Sequence, residues 1–142
     1  MIVDLPPEES DELWQPAHDA GLDTIFLLAP TSDAARVRAV MRRASGFVYY
    51  VSMTGVTGSR AITPADVRPQ VERVRAMCQL PIGVGFGITS GTEAAAVAAF
   101  ADAVVVGTSI MRRVEEQGSA PGLCEHIGRF ARELKLAIRR PS

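Results

Sequence analysis

The stretch Ile82–Ile88 has the sequence IGVGFGI, and Ala103–Ser109 has the sequence AVVVGTS. Each joins a short apolar run to a glycine turn, and a helical pattern follows each turn. A third run, Phe47–Val51 (FVYYV), precedes another segment rich in glycine and small residues, 52–60. Short, continuously apolar runs bounded by turns are typical of parallel strands that are covered on both faces. These stretches therefore predict βα units with glycines at the carboxyl ends of their strands.

Working outward from these stretches, the pattern predicts five βα units in one domain, with one extra short helix near the end. The predicted strands are Ile2–Leu5, Thr24–Leu28, Phe47–Val51, Ile82–Phe86 and Ala103–Val106. The predicted helices are Glu8–Ala20, a helix capped by Thr31 or Ser32 that ends at Ala44, a helix that starts at Thr63-Pro64, Ala94–Phe100 behind a capping box at Ser90-Gly91-Thr92-Glu93, Ile110–Glu116 and Leu123–Ala137.

An open doubly wound sheet and part of a closed barrel both have this order of elements. A doubly wound nucleotide fold carries its glycine-rich turn after the first strand. Here that turn is Leu5-Pro6-Pro7-Glu8, which contains no glycine. The glycines lie after the late strands instead, as they do at the phosphate-binding end of a (β/α)₈ barrel. We therefore expect an α/β fold that is part of such a barrel.

Composition excludes several classes of protein. The chain has 142 residues and a net charge of −1, without a basic block of the kind that nucleic-acid surfaces carry. No apolar run approaches the roughly 20 residues that span a bilayer, and no secretory signal is visible. Cys78 and Cys124 form no metal or redox motif. We expect no metal and no cofactor, and a reducing cytoplasm is the default location.

Three late turns are the main candidates for ligand binding. They contain Gly58, the run Gly85-Phe86-Gly87, and the run Gly107-Thr108-Ser109, which also opens a short helix. Glycine lets backbone N–H groups approach a phosphate closely, and a helix N-terminus favours an anion. Taken singly, such glycines are ordinary turn residues. Because three successive turns carry them, we favour a phosphate site.

Further candidates stand beside the glycines, each with a structural alternative. Of Tyr49 and Tyr50, one side chain is expected to point into the barrel, where it lines a pocket or simply packs in the core. Asp4 ends the first predicted strand, as an active-site carboxylate or as part of an acidic helix start. His18, His126 and the two cysteines are expected to be ordinary helix residues rather than catalytic ones.

With these residues in view, the chain resembles the alpha chain of tryptophan synthase. The matching segments are Val3-Asp4-Leu5-Pro6-Pro7-Glu8-Glu9-Ser10, Phe47-Val48-Tyr49-Tyr50-Val51-Ser52, Thr54-Gly55-Val56-Thr57-Gly58, Gly85-Phe86-Gly87-Ile88 and Val106-Gly107-Thr108-Ser109-Ile110. Their order matches the later part of that family. The resemblance implies a (β/α)₈ barrel that cleaves indole-3-glycerol phosphate to indole and glyceraldehyde 3-phosphate, and that passes indole to a beta chain.

The resemblance also implies roles for individual residues. Those expected around the substrate phosphate are Gly58, Phe86, Gly87, Gly107 and Thr108, the last commonly Ser in the family. Tyr49 looks like the tyrosine of the indole pocket, and Thr57 lies in the loop that closes over it. Asp4 and Pro6 look like part of the surface that faces the beta chain. Met53 stands where the family often has Arg, so a loop contact through that residue is lost.

The main departure concerns the front of the barrel. A whole barrel takes about 250 residues, or about 31 for each unit, so five units in this sequence leave the first three unaccounted for. The family's catalytic Glu and Asp belong to those units, and no residue here takes the acid or base role by motif. We therefore expect the chain to hold the phosphate half of the site and to be inactive alone.

Open sheet edges at Ile2–Leu5 and Ala103–Val106 further predict self-association or pairing with a separate front part. Two alternatives to this interpretation remain at this point. In the first, the chain is a non-catalytic remnant that binds a phosphate ligand or the beta chain. In the second, it is another phosphate-binding barrel of the ribulose-phosphate type. Tyr49 together with the segment 54–58 argues against the second.

Overall fold

The computed structural model describes residues 1, 3, 5–52 and 62–139. Within them a four-stranded sheet has its strands in chain order, and every neighbouring pair is parallel. The strands are β1 (Leu27–Leu28), β2 (Val48–Val51), β3 (Ile82–Gly85) and β4 (Ala103–Val104). The helices are α1 (Asp11–Asp19), α2 (Ala34–Met41), α3 (Pro64–Arg75), α4 (Gly91–Ala98), α5 (Thr108–Gln117) and α6 (Leu123–Ala137), and a 3₁₀ turn precedes them at Pro7–Glu9.

The two faces of the sheet have different environments. Leu28, Tyr50 and Val84 point to one face, where each is at most 1% exposed and packs with apolar residues of α2, α3 and α4. Leu27 and Tyr49 pair across the opposite face and are half-buried. Among the described residues, helices therefore cover only one face of the sheet, as the prediction of part of a barrel requires. The open face is what the concave inner surface of part of a barrel presents.

The front of the chain differs from the prediction of five strands. Val3 lies in a turn and Leu5 has no regular structure, so the described part of the predicted strand Ile2–Leu5 does not pair with β1. Pro6 and Pro7 follow at once, and proline lacks the N–H group that a ladder needs. The predicted helix Glu8–Ala20 is also divided, since Ser10 separates the 3₁₀ turn from α1 and its Oγ donates to the Pro7 carbonyl at 2.9 Å.

Helix starts are set by short polar side chains. α2 begins behind Asp33, whose carboxylate accepts from the Arg36 N–H at 2.7 Å, so Asp33 and not Thr31 or Ser32 is the cap. Ser32 instead accepts from the Ala29 N–H at 3.0 Å in the preceding turn. α3 begins behind Thr63, whose N–H donates to Asp66 at 2.9 Å. The capping residues therefore set where both helices begin.

The later helices place the turns that follow β3 and β4. At α4, Ser90 Oγ accepts from the Glu93 N–H at 3.3 Å, while Glu93 accepts from the Thr89 N–H at 2.7 Å, one residue before the box that the sequence predicts. α5 begins at Thr108, two residues earlier than predicted, and α6 has the predicted bounds. No helix in the described part of the chain is both long enough and apolar enough to cross a bilayer.

Candidate functional site

A cleft of about 410 Å³ opens at the carboxyl ends of β2, β3 and β4. Its volume falls in the range of small-molecule sites, and its position is where barrel enzymes bind ligands. The residues that line it are Tyr49, Val51, Ser52, Gly85, Phe86, Gly87, Ile88, Val105, Gly107 and Thr108. The structure therefore brings together five of the predicted site residues from three separate segments of the sequence.

Two glycines leave the backbone at the cleft accessible to a ligand. No heavy atom outside the neighbouring residues lies within 4 Å of where a Cβ would stand on Gly87 or on Gly107. Gly87 also has a φ of +39°, in the region that favours glycine over residues with a side chain. Both residues are exposed, so a ligand can approach their backbone closely. Such access suits an anion that accepts hydrogen bonds from backbone N–H groups.

The first turn of α5 stands at the rim of the same cleft. The Gly107 carbonyl accepts from the N–H groups of Ile110 at 2.9 Å and Met111 at 3.0 Å, which closes the first helical turn. The N–H groups that precede these have no acceptor inside the helix. Together with the helix dipole they favour a negative charge beside Gly107 and Thr108.

Tyr49 supplies the aromatic wall of the cleft. Gly85 makes this possible, because a Cβ built on it would lie 2.6 Å from Tyr49 Oη and 3.0 Å from Cε2. Burial raises the pKa of the Tyr49 phenol above its ordinary value of 10.0, so the hydroxyl is neutral at physiological pH. Tyr50 lies on the opposite face and is fully buried among helices, as the alternation along the strand predicts.

Sequence reasoning did not predict the contacts by which Ser52 and Ser109 hold the turns in place, although it included Ser109 in a candidate ligand-binding turn. Ser52 is 6% exposed, and its N–H donates to the Gly85 carbonyl at 3.3 Å. Ser109 is 3% exposed, and its hydroxyl donates to the Ile88 carbonyl. The sequence contains only a weak signal for these contacts, since each residue is simply a small hydroxyl residue in or beside an expected ligand segment.

The other predicted site residues lie elsewhere or outside the described residues. Gly58, Thr57 and Asp4 fall outside them, as does Met53. Pro6 lines a separate depression beside Phe26, Leu27 and Arg36, at the β1 side of the sheet. Next to it Glu8 pairs with Arg36 Nη1 at 2.5 Å. A backbone hydrogen bond at Glu8, assisted by Arg36, holds the pKa of this carboxyl below its usual range.

None of the histidines and cysteines lines the cleft. His18 lies beside Trp14, with 5.2 Å between the ring centroids, and His126 is in α6. Burial raises the pKa of the Cys78 thiol, and Cys124 is exposed. Across residues 1, 3, 5–52 and 62–139, no group of three metal-ligating side chains stands together.

The chemistry of the cleft follows from its lining. Exposed backbone N–H groups and a neutral phenol are suited to a ligand with an anionic end and an apolar end. No carboxylate or imidazole is among the described residues that line the cleft. General acid–base catalysis most often uses such a group within hydrogen-bond reach of the substrate, so the described lining residues are better suited to binding, with the Tyr49 phenol as their one aromatic proton donor.

Comparison with known proteins gives one consistent result. The sequence model of the tryptophan synthase alpha chain family matches residues 1–138. The alpha chain of Citrifermentans bemidjiense is 46% identical over 142 residues, which are 100% of this chain and 53% of the relative. The alpha chain of Geobacter sulfurreducens is 49% identical over 138 residues, which are 97% of this chain and 52% of the relative.

Solved structures agree with the sequence comparisons. Tryptophan synthase subunit alpha from Legionella pneumophila str. Paris superposes with a TM-score of 0.85 and 34% identity, covering 96% of this chain and 50% of that one. Tryptophan synthase from M. tuberculosis, in an open form, gives a TM-score of 0.80 and 31% identity over 98% of this chain and 49% of that one. The chain thus spans about half the length of the relatives that it matches, and its sheet is part of their barrel. On both sequence and structure, the chain belongs to the tryptophan synthase alpha chain family.

Proposed function

We propose that this chain provides the phosphate-binding half of an indole-3-glycerol phosphate site in tryptophan biosynthesis. The observation that carries the proposal is that Tyr49, Gly87, Gly107 and Thr108 line one cleft. In this assignment the N–H groups of the two late turns hold the phosphate, with Phe86 beside them and Gly58 from the preceding turn. Tyr49 and Thr57 contact the indole ring.

The reaction assigned to the complete site is a retro-aldol cleavage to indole and glyceraldehyde 3-phosphate. It requires one group to protonate the indole ring carbon and another to take the proton of the leaving fragment. The described lining residues include no carboxylate or imidazole to take these roles. We therefore assign both roles to a Glu and an Asp of the preceding βα units, as the family resemblance implies, and expect the 142-residue chain to bind ligand without cleaving it.

The same assignment implies partners for two surfaces. The open inner face and the outer edge of β1 would be covered either by the preceding βα units or by a second copy of the chain. Several large apolar side chains in the segment that precedes β1 are 53–63% exposed, namely Met1, Val3, Leu13 and Leu22. Asp4 and Pro6 would face the beta chain, and a cytoplasmic location fits this biosynthetic role. A single monomeric species in size-exclusion chromatography would contradict self-association.

A second candidate function is a non-catalytic module that binds a phosphate ligand or the beta chain. The absence of a carboxylate or imidazole among the described lining residues favours it. The two candidates differ in one measurement, which is indole release after the preceding units are supplied as a separate polypeptide. Release of indole by the combination supports the enzymatic half-site, and binding without release supports the module.

The binding step is tested by titrating glyceraldehyde 3-phosphate into the ¹⁵N-labelled chain and following the amides of Gly87 and Gly107. A Gly107→Ala variant provides the decisive comparison. Its φ of −119° lies outside the left-handed region and nothing stands within 4 Å of the new Cβ, so the variant is expected to fold. The methyl group enters the space that the phosphate would take, and we expect the Kd to rise at least tenfold, or about 1.4 kcal/mol.

The matched control is Gly128→Ala in α6, where the nearest atom to a new Cβ is Arg132 Nη1 at 3.7 Å. This position is not among the residues that line the cleft, so its Kd is expected to remain that of the wild type. An unchanged Kd in Gly107→Ala would contradict the phosphate assignment. Release of indole from indole-3-glycerol phosphate by the purified chain alone would contradict the division of the site into halves.

A further inference from the structure

Ser109 connects the two turns that meet at the cleft. It is 3% exposed in the first turn of α5, and its hydroxyl donates to the carbonyl of Ile88, which is 2% exposed. The two residues are 21 positions apart in sequence. Ile88 follows Gly87 directly, and Ser109 follows Thr108 directly. This hydrogen bond therefore links the neighbours of the residues assigned to the phosphate on both sides of the cleft.

Ser109 is linked to α6 through Arg113, which lies one turn later in α5 itself. The Ser109 carbonyl accepts from Arg113 Nη1 at 3.0 Å. The guanidinium carbon of Arg113 lies 3.5 Å from the centroid of the Phe130 ring, in a cation–π contact. Phe130 is 5% exposed and belongs to the core. A continuous path of contacts thus runs from α6 through Arg113 and Ser109 to the turn after β3.

The glycines themselves do not set the spacing of the two turns. Gly87 and Gly107 have no side chain, and a Cβ on either would find no atom within 4 Å. Their separation therefore depends on the pairing of β3 with β4 and on contacts of neighbouring residues, among them the hydrogen bond from Ser109 to Ile88. A phosphate that bridges two sets of N–H groups needs those groups within a few tenths of an ångström of their bonding distance. A contact that fixes the separation therefore contributes to affinity without touching the ligand.

We propose that Ser109, supported by Arg113, is a positioning residue that sets the distance between the two phosphate-binding turns for a phosphate monoester ligand. The inference rests on the proposed function, because it concerns the same cleft. Arg113 acts one step further away, since it orients Ser109 through the carbonyl and anchors α5 on Phe130.

The test compares three variants of the whole chain, with inorganic phosphate and glyceraldehyde 3-phosphate as the ligands. Ser109→Ala removes the donor, and we expect the Kd for both ligands to rise about tenfold while Ser109→Thr, which keeps the hydroxyl, recovers affinity. Arg113→Met keeps an apolar stem over Phe130 but loses the donor to Ser109, so a smaller rise is expected. Hydrogen exchange at Gly87 and Ser109 should quicken in Ser109→Ala.

Ser45→Ala is the matched control for a general loss of stability. Ser45 Oγ accepts from the Thr24 N–H at 2.8 Å, and Thr24 lies just before the amino end of β1, away from the cleft. This variant also loses a hydrogen bond between a serine hydroxyl and the backbone, with Ser45 as acceptor rather than donor, and we expect it to lower the unfolding temperature without changing the Kd.

Two negative results are distinguishable. If the wild type binds phosphate and Ser109→Ala binds it equally well, the positioning role is overturned and the proposed function stands. If the wild type binds neither ligand, the proposed function is overturned, and the positioning role falls with it. A rise in Kd that Ser45→Ala reproduces to the same extent would assign Ser109 a structural role alone.

Discussion

The hydroxyl of Tyr50 offers a sharp test of how the strands are embedded. Tyr50 is fully buried on the helix-covered face of β2, and its Oη has no hydrogen-bond partner among the described residues. Burying a hydroxyl without a partner costs about 1–3 kcal/mol in proteins. Tyr50→Phe removes that cost and leaves the ring in place. The variant is therefore expected to be more stable than the wild type by about 1 kcal/mol.

For a domain of this length, 1 kcal/mol corresponds to a rise of about 4 °C in unfolding temperature. Calorimetry or circular dichroism at pH 7 measures it directly. Tyr49→Phe is the control, because Tyr49 is half-buried on the open face where water reaches the cleft. Its stability is expected to change by less than about 0.5 kcal/mol. A fall of 4 °C or more in Tyr50→Phe would show that the hydroxyl is hydrogen-bonded, and the reasoning would fail.

Alkaline pH provides a second measurement on the same variant. Burial raises the pKa of Tyr50 above 10.0, opposed only in part by the charge of Arg73. Above pH 10 the unfolded chain loses the phenolic proton while the folded chain retains it, so unfolding is favoured as the pH rises. The wild type should therefore lose stability more steeply than Tyr50→Phe as the pH rises above about 10. Tyr49 keeps a part of this slope in both proteins.

Three further perturbations follow from the contacts of single residues. Gly85→Ala places a Cβ 2.6 Å from Tyr49 Oη, and we expect a loss of about 1–3 kcal/mol in chemical denaturation together with weaker binding of an aromatic ligand. Unchanged stability would contradict the contact. Asp102→Ala removes the acceptor for the N–H group that opens β3 at 2.8 Å and for an arginine of α3 at 2.7 Å, at an expected cost of about 1–3 kcal/mol; a loss within experimental error would count against it. The backbone hydrogen bond from Thr89 lowers the pKa of Glu93 below 4.5, so its stabilisation is present above pH 4.5 and is lost as the pH falls through the folded-state pKa. Glu93→Gln should accordingly show a shallower loss of stability on acidification, and parallel curves for the two proteins would refute this.

Local signals were sufficient for most helices and for the order of the elements. The bounds of α6 follow from its apolar spacing, and α3 begins where Thr63-Pro64 predicts it. The cleft residues were predictable too, because glycine turns after parallel strands meet at one edge of a sheet. The resemblance to the family then led us to expect indole-3-glycerol phosphate as the ligand. These features depend on residues close in sequence or on a rule of topology, and neither needs knowledge of individual contacts.

The features that the sequence did not predict depend on contacts between distant residues. β1 forms a regular ladder only over Leu27–Leu28, because its outer edge has no strand beside it among the described residues. The role of Gly85 requires knowing that the Tyr49 ring lies across it. The link from Ser109 to Ile88 spans 21 positions and has no motif. Each is settled by packing, which a pattern along one segment does not describe.

The open face of the sheet explains why the strands have no polar alternation. Leu27, Tyr49 and Val51 alternate with buried neighbours in β1 and β2, yet they are themselves apolar or aromatic and only half-buried. A sheet face that is exposed to solvent in the functional protein would carry polar residues at these positions. Their apolar character is what closure of an eight-stranded barrel would require on its inner side, and the matched relatives have about twice the length of this chain. The apolar inner face is thus suited to being covered by further βα units. The cleft lies at the edge of this face, where such units would adjoin it.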